Sequence, residues 1–510
     1  METFDVVVVG YGFAGGVAAI AAHDAGAKVL LVEKMANPGG ISICSAGGVR
    51  VARDADAALR YSVRTNAGTA PVENLEALAL GMTGIGDFVA DLAAPAGATL
   101  TRSDAPGNYP FDGYDTFGFI SVADVPGFDP RRDYPHVRGL RGGARLFRII
   151  QGSIAARGIE VQLGTAAGEL IRDGGTVTGV MLDDGTGARL CRATGGVILA
   201  CGGFEAGEEM KLQYWQERPV ASVAYSGNTG DGIRMAQAVG ADLWHMWHYH
   251  GSYGLQRVDD PDYPYGIRLT RFPDWTPGLS ADDEVPEFFL AADGVQMPWI
   301  VVDRTGRRYM NEYPPYPGDT GHRPMSYFDP VTQDFPRIPS WAIFDQEAFD
   351  RYAIGFPTYN DPHVSLDWSA DNSAELASGL IRRADNASEL AAIVGCEVDT
   401  LEQTLVQWNA IAVGDCTDPF GRDPAMGRPM AGPPWYAASV WPMVSNTRGG
   451  PVHDPRQRVL DPFRKPIDGL YAAGELGSVF GHLYISGGNL AECFIGGRIA
   501  GREAAERARE

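Results

Sequence analysis

A glycine-containing turn between two short apolar segments opens the chain, and this arrangement restricts the fold more than any other feature. The order is an apolar run over Phe4–Val9, the turn Gly10-Tyr11-Gly12-Phe13-Ala14-Gly15, an alanine-rich stretch over Gly16–Ala25, and a second apolar run over Lys28–Glu33. Short, nearly continuous apolar runs are typical of strands buried on both faces of a parallel sheet. The sequence therefore predicts a βαβ unit within an α/β fold.

The glycine spacing in this turn predicts a dinucleotide site. Gly10 permits the tight turn, Gly12 lets the backbone approach a pyrophosphate, and Gly15 lets the helix pack closely on the strand. The amides at the start of the helix stabilise phosphate charge. Glu33, at the end of the second strand, is placed to accept a hydrogen bond from a ribose hydroxyl.

Later segments extend this domain and are interrupted by a different kind of sequence. Apolar runs predict strands over Gly158–Leu163, Thr176–Leu182, Gly196–Ala200 and Gly469–Ala473, and a helix over Ile233–Val239. Between Trp244 and Trp435 the chain is rich in Trp, Tyr, Pro and His, with helices predicted over Asn386–Val394 and Asp399–Val413 and loops over Asp350–Pro357 and Tyr359–His363. We therefore predict a Rossmann-like nucleotide domain from residues 1–243 and 436–510, with an α+β cap domain inserted over residues 244–435.

Composition excludes several classes of function. The chain of 510 residues carries 42 Lys and Arg against 64 Asp and Glu, a formal net charge of −22, which argues against a nucleic-acid partner. It shows no run of 18 apolar residues, so we expect no integral membrane segment. The start of the sequence lacks the basic region of a signal peptide, and its six cysteines form no C-x-x-C pair. We expect a cytoplasmic protein with free thiols and no metal site.

Blocks of sequence in a fixed order resemble the flavoproteins related to fumarate reductase, which include the 3-ketosteroid dehydrogenases. The blocks are the N-terminal glycine turn, the loop from Gly39 to Gly48, Ala200 to Phe204, Thr229 to Gly232, Arg308 to Glu312, Ala473 to Glu475, and Gly487 to Gly501. The resemblance implies a non-covalently bound FAD in the split nucleotide domain and a substrate pocket between that domain and the cap. The chain has 65 glycines, and glycine loops suit a long ligand that the backbone approaches repeatedly.

The glycine turn and the resemblance together assign a set of positions to the FAD site. They are Gly10, Gly12, Phe13, Ala14, Gly15, Glu33, Lys34, Gly39, Gly40, Ser42, Ser45, Ala46, Gly47, Gly48, Ala166, Ala200, Gly202, Gly203, Asn228, Thr229, Asp231, Gly474, Glu475, Gly488, Asn489 and Leu490. No second glycine turn of this type follows a strand, so a second nucleotide fold for NAD(P)H is not evident, and the electron acceptor is unknown.

Two positions distinguish the branches of the family that the chain resembles. Fumarate reductases carry arginines where this chain has Tyr316 and Ile485, so a dicarboxylate substrate would meet no bidentate cation there. Pro315-Tyr316 and the segment from Gly481 to Gly488 resemble the ketosteroid dehydrogenases instead. That resemblance implies that the Tyr484 hydroxyl and the Gly488 N–H bind a substrate ketone and stabilise its enolate, as in an oxyanion hole. Tyr316 would take the α-proton while the β-hydride passes to flavin N5.

Ser486 leaves a second assignment of roles open. The Tyr-x-Ser order of Tyr484 and Ser486 resembles the Δ4-(5α)-dehydrogenases, in which this pair is thought to conduct the proton outward. Tyr484 would then be the base and Tyr316 its helper, and the sequence does not decide between the two assignments. Tyr313, three residues before Tyr316, is the local competitor for that position.

The leading hypothesis is therefore an FAD-dependent dehydrogenase that desaturates a hydrophobic cyclic ketone next to its carbonyl, at C4–C5 of a 3-ketosteroid. The alternatives are Δ1 desaturation, an enone or enoate reductase working in the opposite direction, and a flavin-binding structural or sensor protein. His245, His248 and His250 alternate with Trp and Met, which predicts a strand along a pocket and favours a structural role over a metal site or substrate contact. The acidic run Asp282-Asp283-Glu284 is expected in a solvated loop.

Overall fold

The computed structural model describes residues 2–139, 141–269, 299–351 and 353–510, and the acidic run at 282–284 lies outside them. The strands are β1 (Glu2–Val9), β2 (Val29–Val32), β3 (Val49–Ala52), β4 (Thr99–Asp104), β5 (Phe117–Asp124), β6 (Val137–Arg138), β7 (Glu160–Gln162), β8 (Ala166–Asp173), β9 (Thr176–Asp183), β10 (Ala188–Leu199), β11 (Ala221–Ser222), β12 (Leu243–Trp244), β13 (Tyr249–Leu255), β14 (Ile267–Leu269), β15 (Ile300–Val302), β16 (Ser340–Asp345), β17 (Gly355–Phe356), β18 (Tyr359–Asn360), β19 (Arg382–Ala384), β20 (Trp435–Thr447), β21 (Gly450–Pro451), β22 (Arg458–Leu460) and β23 (Pro466–Ala472). The helices are α1 (Phe13–Asp24), α2 (Ala55–Asn66), α3 (Val72–Ala93), α4 (Pro130–Asp133), α5 (Arg141–Ala156), α6 (Glu208–Tyr214), α7 (Asp231–Ala238), α8 (Pro317–Thr320), α9 (Gln346–Arg351), α10 (Ser373–Ser378), α11 (Ala387–Val394), α12 (Val398–Ala412) and α13 (Gly488–Arg507).

The first large sheet contains the predicted βαβ unit. Its strand order is β22-β23-β10-β1-β2-β7, and β23, β10, β1, β2 and β7 run parallel to one another. The antiparallel strands β9 and β8 extend it from β10. Because β23 lies beside β10, segments from both ends of the chain form this sheet, as the sequence predicts.

Helices α1 and α13 pack against each other at glycine contacts. A side-chain carbon added to Gly497 would lie 2.6 Å from the carbonyl oxygen of Ala14, and one added to Gly501 would lie 2.4 Å from that of Ala18. Gly15 permits a similarly close approach between the start of α1 and the turn before it, since an added carbon would lie 1.8 Å from the carbonyl oxygen of Gly10. These positions therefore hold the first helix of the cofactor fold between β1 and α13.

The second large sheet is built mainly from the middle of the chain. Its order is β15-β16-β20-β13-β14-β17, and β11 and β19 also pair with β20. Because β20 belongs to this sheet, the sheet continues past residue 435, where the sequence places a domain boundary. The predicted helices correspond to α11 and α12, and the two predicted loops contain the end of α9 and the short strands β17 and β18. The domain limits stay a prediction.

One helix of the described residues, Val72–Ala96, is long and apolar enough to cross a membrane by length and composition alone. It comprises α3 and the turn that follows, and 44% of its most apolar window is buried inside the protein. Leu78, Met82, Ile85 and Val89 form its buried stripe. Since core helices pass the same test, this helix is weak evidence for a membrane span.

Candidate active site

A cavity of about 870 Å³ opens at the carboxyl ends of the central parallel strands. Val9, Val32 and Ala200, which end or follow β1, β2 and β10, lie in its wall. Ligands of α/β sheets bind at this edge, and the volume is typical of cofactor sites.

The glycine turn forms the floor of this cavity and fits a bound pyrophosphate. Gly10 has a φ of +102°, and an added side-chain carbon would lie 2.5 Å from the carbonyl oxygen of Ala200. Gly12 lines the cavity, and such a carbon there would lie 3.2 Å from Ser42 Oγ, a tight contact with a side chain that also lines it. The N-terminus of the twelve-residue helix α1 follows directly, as phosphate binding requires.

Charged side chains form the next part of the wall. Glu33 is buried and accepts hydrogen bonds from the Tyr11 and Met35 amides, both at 2.9 Å. Lys34 Nζ donates to Asp231 Oδ2 at 2.7 Å and to Thr229 Oγ1 at 2.8 Å. Residues predicted from distant sequence blocks are therefore brought together beside the nucleotide loop.

Two buried carboxyl groups belong to this region, since Glu475 lines the cavity and Glu205 contacts the lining residue Asn228. Asn228 Nδ2 donates to Glu205 Oε1 at 2.6 Å, and Glu475 Oε1 accepts from the Thr447 amide at 2.8 Å. Burial raises the pKa of Glu475 to about 7 and raises that of Glu205 well above its usual value. Carboxyls of this kind hold protons near neutral pH and can donate as well as accept hydrogen bonds.

The amide nitrogen of Asn446 also points to a ligand. It is buried, and Asn446 lines the cavity, yet this nitrogen makes no hydrogen bond within the described residues. Buried donors are normally satisfied, so this one fits a polar group of a bound molecule. The glycine floor, the helix N-terminus and this donor together fit FAD.

Most residues predicted for the FAD site line the cavity. They are Gly10, Gly12, Phe13, Ala14, Glu33, Lys34, Gly40, Ser42, Ser45, Ala46, Gly47, Gly48, Ala200, Gly202, Asn228, Asp231, Glu475, Asn489 and Leu490. Those outside the lining are Gly15, Gly39, Ala166, Gly203, Thr229, Gly474 and Gly488. At Ala166 the wall is formed by Thr165 and Ala167 instead, since successive strand residues face opposite sides.

Tyr316 and Tyr484 share one wall of the cavity with His250. The two phenol rings are stacked, with centroids 6.1 Å apart and an interplanar angle of 25°. The His250 ring lies 4.4 Å from that of Tyr484, and its Nε2 is 3.4 Å from the Tyr316 hydroxyl. The sequence interpretation gave His250 a structural role; no motif links it to Tyr316, which lies 66 positions further along the chain.

Tyr484 is buried among groups that hydrogen-bond to its hydroxyl or change the pKa of that hydroxyl. The Asn489 amide donates to the Tyr484 hydroxyl at 3.2 Å, and the Arg448 guanidinium lies 4.1 Å from the ring centroid. Burial raises the pKa of Tyr484, and the charge of Arg448 opposes that increase. Arg448 is itself fully buried and was not predicted from the sequence.

Ser486 and Gly488 are placed differently with respect to the cavity. Ser486 lines it, with its amide donating to Asn108 Oδ1 and its carbonyl accepting from Arg50 Nε, both at 2.7 Å. The Gly488 amide instead donates to the Ile485 carbonyl at 2.8 Å, because it closes the turn that begins α13. In this structure that amide is therefore used within the protein, and its contact with a substrate ketone stays a prediction.

Asp319 connects the two tyrosine segments. Its Oδ2 accepts from the Tyr109 hydroxyl at 2.8 Å and from the Tyr484 amide at 2.9 Å. The Tyr109 ring packs edge-on against Tyr316, with centroids 6.5 Å apart. Asp319, in α8 directly after Tyr316, therefore fixes the spacing of the tyrosine pair.

A buried charge cluster lies beneath the loop that carries Tyr316. Arg308 Nη2 contacts Glu312 Oε2 at 2.6 Å and Asp418 Oδ2 at 3.0 Å, and Arg422 Nη1 contacts Glu312 Oε2 at 3.1 Å. Tyr313 is buried in the core of the second sheet and does not line the cavity. The motif from Arg308 to Glu312 thus anchors the loop, and Tyr316 is the tyrosine that reaches the site.

The three nearby histidines do not form the predicted strand. His245 has a φ of +56°, and the His248 amide donates to its carbonyl at 2.9 Å, so a turn precedes β13 and His250 alone lies in a strand. Both ring nitrogens of His245 contact backbone carbonyls, those of Ser478 and Thr69. Among the described residues, no three His, Cys, Asp or Glu side chains are grouped closely enough to hold a metal ion.

Comparison with known proteins identifies similar chains. The sequence matches the family model described as the FAD binding domain over residues 5–252 and 275–490. It is 29% identical to the 3-oxosteroid 1-dehydrogenase of Mycobacterium tuberculosis H37Rv, over 100% of this chain and 99% of that protein.

Two solved structures are similar to this fold. One is the 3-ketosteroid Δ1-dehydrogenase of Sterolibacterium denitrificans in complex with 1,4-androstadiene-3,17-dione, with a TM-score of 0.81, 22% identity, and coverage of 99% of this chain and 100% of that one. The other is the 3-ketosteroid Δ4-(5α)-dehydrogenase of Rhodococcus jostii RHA1, with a TM-score of 0.67, 21% identity, and coverage of 99% and 97%. The predicted α/β flavoprotein fold is confirmed.

Proposed function

The chain belongs to the FAD binding domain family and has FAD as its cofactor, and from this premise we propose that it desaturates a 3-ketosteroid next to the ketone. The observation that carries the proposal is the stacked pair of Tyr316 and Tyr484 in the wall of the FAD cavity. The full-length likeness to a 3-oxosteroid 1-dehydrogenase supports it. The non-covalent attachment of FAD is part of the proposal.

The hydrogen bonds of Tyr484 support its role as the donor to the ketone. Its oxygen accepts the Asn489 amide, so its own proton is available for a substrate oxygen. A donor held on an oxygen that gains negative charge stabilises the enolate that forms when the α-proton leaves. Arg448, against the Tyr484 ring, strengthens this donor by stabilising negative charge on the phenol.

Tyr316 is the second tyrosine of the pair and we assign to it the removal of the α-proton. It lies in the same wall, held by the loop above the Arg308, Glu312 and Arg422 cluster. FAD, when bound in this cavity, would supply the acceptor for the hydride of the neighbouring carbon. The two tyrosines thus act on opposite parts of one enolisation, which requires an acid at the oxygen and a base at the carbon.

Two ring positions each have an observation in their favour. The likeness over the whole chain to a 3-oxosteroid 1-dehydrogenase favours C1–C2. Ser486, which lines the cavity two residues after Tyr484, favours C4–C5, because its Tyr-x-Ser order resembles the Δ4-(5α)-dehydrogenases. A 3-ketosteroid that already has the C4–C5 double bond separates them, since only an enzyme that acts at C1–C2 can oxidise it.

The test is anaerobic mixing of the holoenzyme with a saturated 3-ketosteroid and with its 4-ene analogue. Bleaching of the flavin absorbance and appearance of a conjugated enone are expected with at least one of them. No bleaching with either would refute the proposal. Faster reoxidation of the reduced enzyme by enone than its reduction by ketone would instead indicate a reductase.

A further inference from the structure

His250 connects the tyrosine pair to a polar group behind it. This histidine lies in β13, its Nε2 faces the Tyr316 hydroxyl at 3.4 Å, and its Nδ1 faces Asn446 Oδ1 at 2.9 Å. Its ring also packs on Tyr484, with centroids 4.4 Å apart. Hydrogen bonds at catalytic sites are often this long in structures without substrate and shorten in the reacting complex. His250 is therefore placed to exchange a proton with Tyr316.

The orientation of the Asn446 amide assigns the hydrogen of His250 to one ring nitrogen. The amide oxygen faces Nδ1, and because an amide oxygen only accepts hydrogen bonds, we assign the N–H that donates to Asn446 to Nδ1. In the neutral ring Nε2 then has a lone pair and accepts the hydroxyl proton of Tyr316. A phenol whose proton is donated to His250 presents an oxygen lone pair to other partners, and this is what removal of a substrate proton requires.

The surroundings of His250 keep its ring neutral. Burial lowers its pKa well below the usual value, and the charge of Arg448 lowers it further. The titratable and charged groups around it are Tyr316, Tyr484, Arg268, His322 and Arg448. A neutral ring keeps the lone pair of Nε2 as an acceptor for the Tyr316 hydroxyl.

We propose that His250 is the positioning residue that holds the Tyr316 proton and accepts it when Tyr316 removes the α-proton of the ketone, an inference that rests on the proposed function. The substrate α-proton passes to the Tyr316 oxygen, and the original phenol proton passes to His250 Nε2. The electron pair of the α-C–H bond forms the double bond as the β-hydride leaves to the oxidised flavin. The imidazolium then releases its proton to water, so atoms and charges balance.

The hydrogen-bond pattern is tested without turnover by nitrogen NMR of the holoenzyme labelled at histidine. We expect the His250 signals, identified by their loss in His250→Gln, to show the neutral Nδ1–H form at pH 7. The Nε2 shift should move in Tyr316→Phe, because the donor to that nitrogen is lost. The Nε2–H form, or an Nε2 shift that is unchanged in Tyr316→Phe, would overturn the inference.

The role in proton transfer is tested by flavin reduction with the ketone. His250→Ala should lower the reduction rate by about 10²-fold, the usual size of a general-base contribution. Added imidazole should restore part of that rate, increasingly as the pH rises through the pKa of free imidazole. The double variant His250→Ala, Tyr316→Phe should be no slower than Tyr316→Phe and should gain nothing from imidazole.

A matched control is His248→Gln. His248 is also buried but does not line the cavity, and a rate within twofold of wild type is expected. The inference is wrong, while the proposed function stands, if His250→Ala keeps the wild-type rate of flavin reduction. It is also wrong if His250→Ala loses rate that imidazole does not restore and if that loss adds to the effect of Tyr316→Phe. If no ketone reduces the wild-type flavin, the proposed function is wrong, and the proton route fails with it.

Discussion

Glu312 lies at the centre of the charge cluster beneath the Tyr316 loop, and its replacement by glutamine tests what holds that loop in place. Glutamine keeps the size of the side chain and can still accept the Val301 amide, which donates to Glu312 at 3.0 Å. The charge is lost, however, and Asp418, which pairs with Arg308, is then the remaining carboxylate beside the two arginines that Glu312 contacts. Removing one partner of a buried ion pair costs about 3–5 kcal/mol of the free energy of unfolding.

That cost converts into a modest change in melting temperature because the chain is long. An unfolding entropy of about 2.1 cal/mol/K per residue gives roughly 1.1 kcal/mol/K for a chain of 510 residues. We therefore expect the melting temperature of the Glu312→Gln holoenzyme to be about 3–5 °C lower at pH 7, measured by scanning calorimetry. The control is Asp334→Asn, which removes an exposed ion pair with Arg304 and should leave the melting temperature unchanged.

The pH dependence of this difference provides the sharper test. Burial raises the pKa of Glu312, but Arg308 and Arg422 outweigh it, so the folded-state pKa is lower than the unfolded one. The ionised Glu312 therefore contributes fully to the free energy of unfolding at pH values above its pKa in the unfolded chain. This contribution is lost as the pH falls through its pKa in the folded protein. The difference between wild type and Glu312→Gln should therefore shrink on acidification. Equal melting temperatures at pH 7, or a difference independent of pH, would refute the reasoning.

Three further predictions concern the cofactor, the chemistry and the response to pH. Gly12→Ala should lower the flavin content and leave the melting temperature of the apoprotein unchanged. Gly15→Ala should lower both the flavin content and the melting temperature, because its new carbon would lie 1.8 Å from the Gly10 carbonyl oxygen. Equal effects of the two variants would contradict the assigned roles. Tyr484→Phe should lower the rate of flavin reduction by ketone about 10²-fold at unchanged flavin content, and stopped-flow data showing less than a threefold loss would contradict its role as donor. Burial raises the pKa of Glu492 to about 7, so the folded state binds its proton more tightly and the unfolding free energy falls as the pH rises from the ordinary glutamate range toward 7. Glu492→Gln should reduce that fall in denaturant titrations, and parallel pH profiles for the two proteins would contradict it.

The nucleotide fold was predictable because its signal is local. The run from Phe4 to Glu33 contains a strand, a turn, a helix and a second strand in that order. At Gly10 and Gly15 the structure shows the steric reason for glycine, because an added side-chain carbon would overlap a backbone carbonyl. The contact of α1 with α13 was not predictable in the same way. Gly497 and Gly501 occur in the motif, but only the approach of another helix explains why they lack side chains.

The tyrosine pair was predictable from the register of two motifs, and its surroundings were not. Tyr316 and Tyr484 stand at fixed distances from recognisable blocks, whereas His250 and Arg448 belong to no such block. Their importance follows from contacts between segments that are far apart in the chain, such as the 3.4 Å approach of His250 to Tyr316. The position of Gly488 in its motif also does not reveal that its amide donates to the Ile485 carbonyl within a turn.

The packing of α1 against α13 has a consequence for how the protein is made. On the ribosome, α1 emerges before α13, which begins 475 residues later in the chain, at Gly488 against Phe13. At about 5–20 residues per second, roughly 25 to 95 s separate the synthesis of the two helices. During that interval the apolar face of α1 that α13 will cover stays without its partner. Completion of the cofactor fold therefore waits for the synthesis of α13, and a chain stalled before Gly488 would present an unfinished flavin site to chaperones.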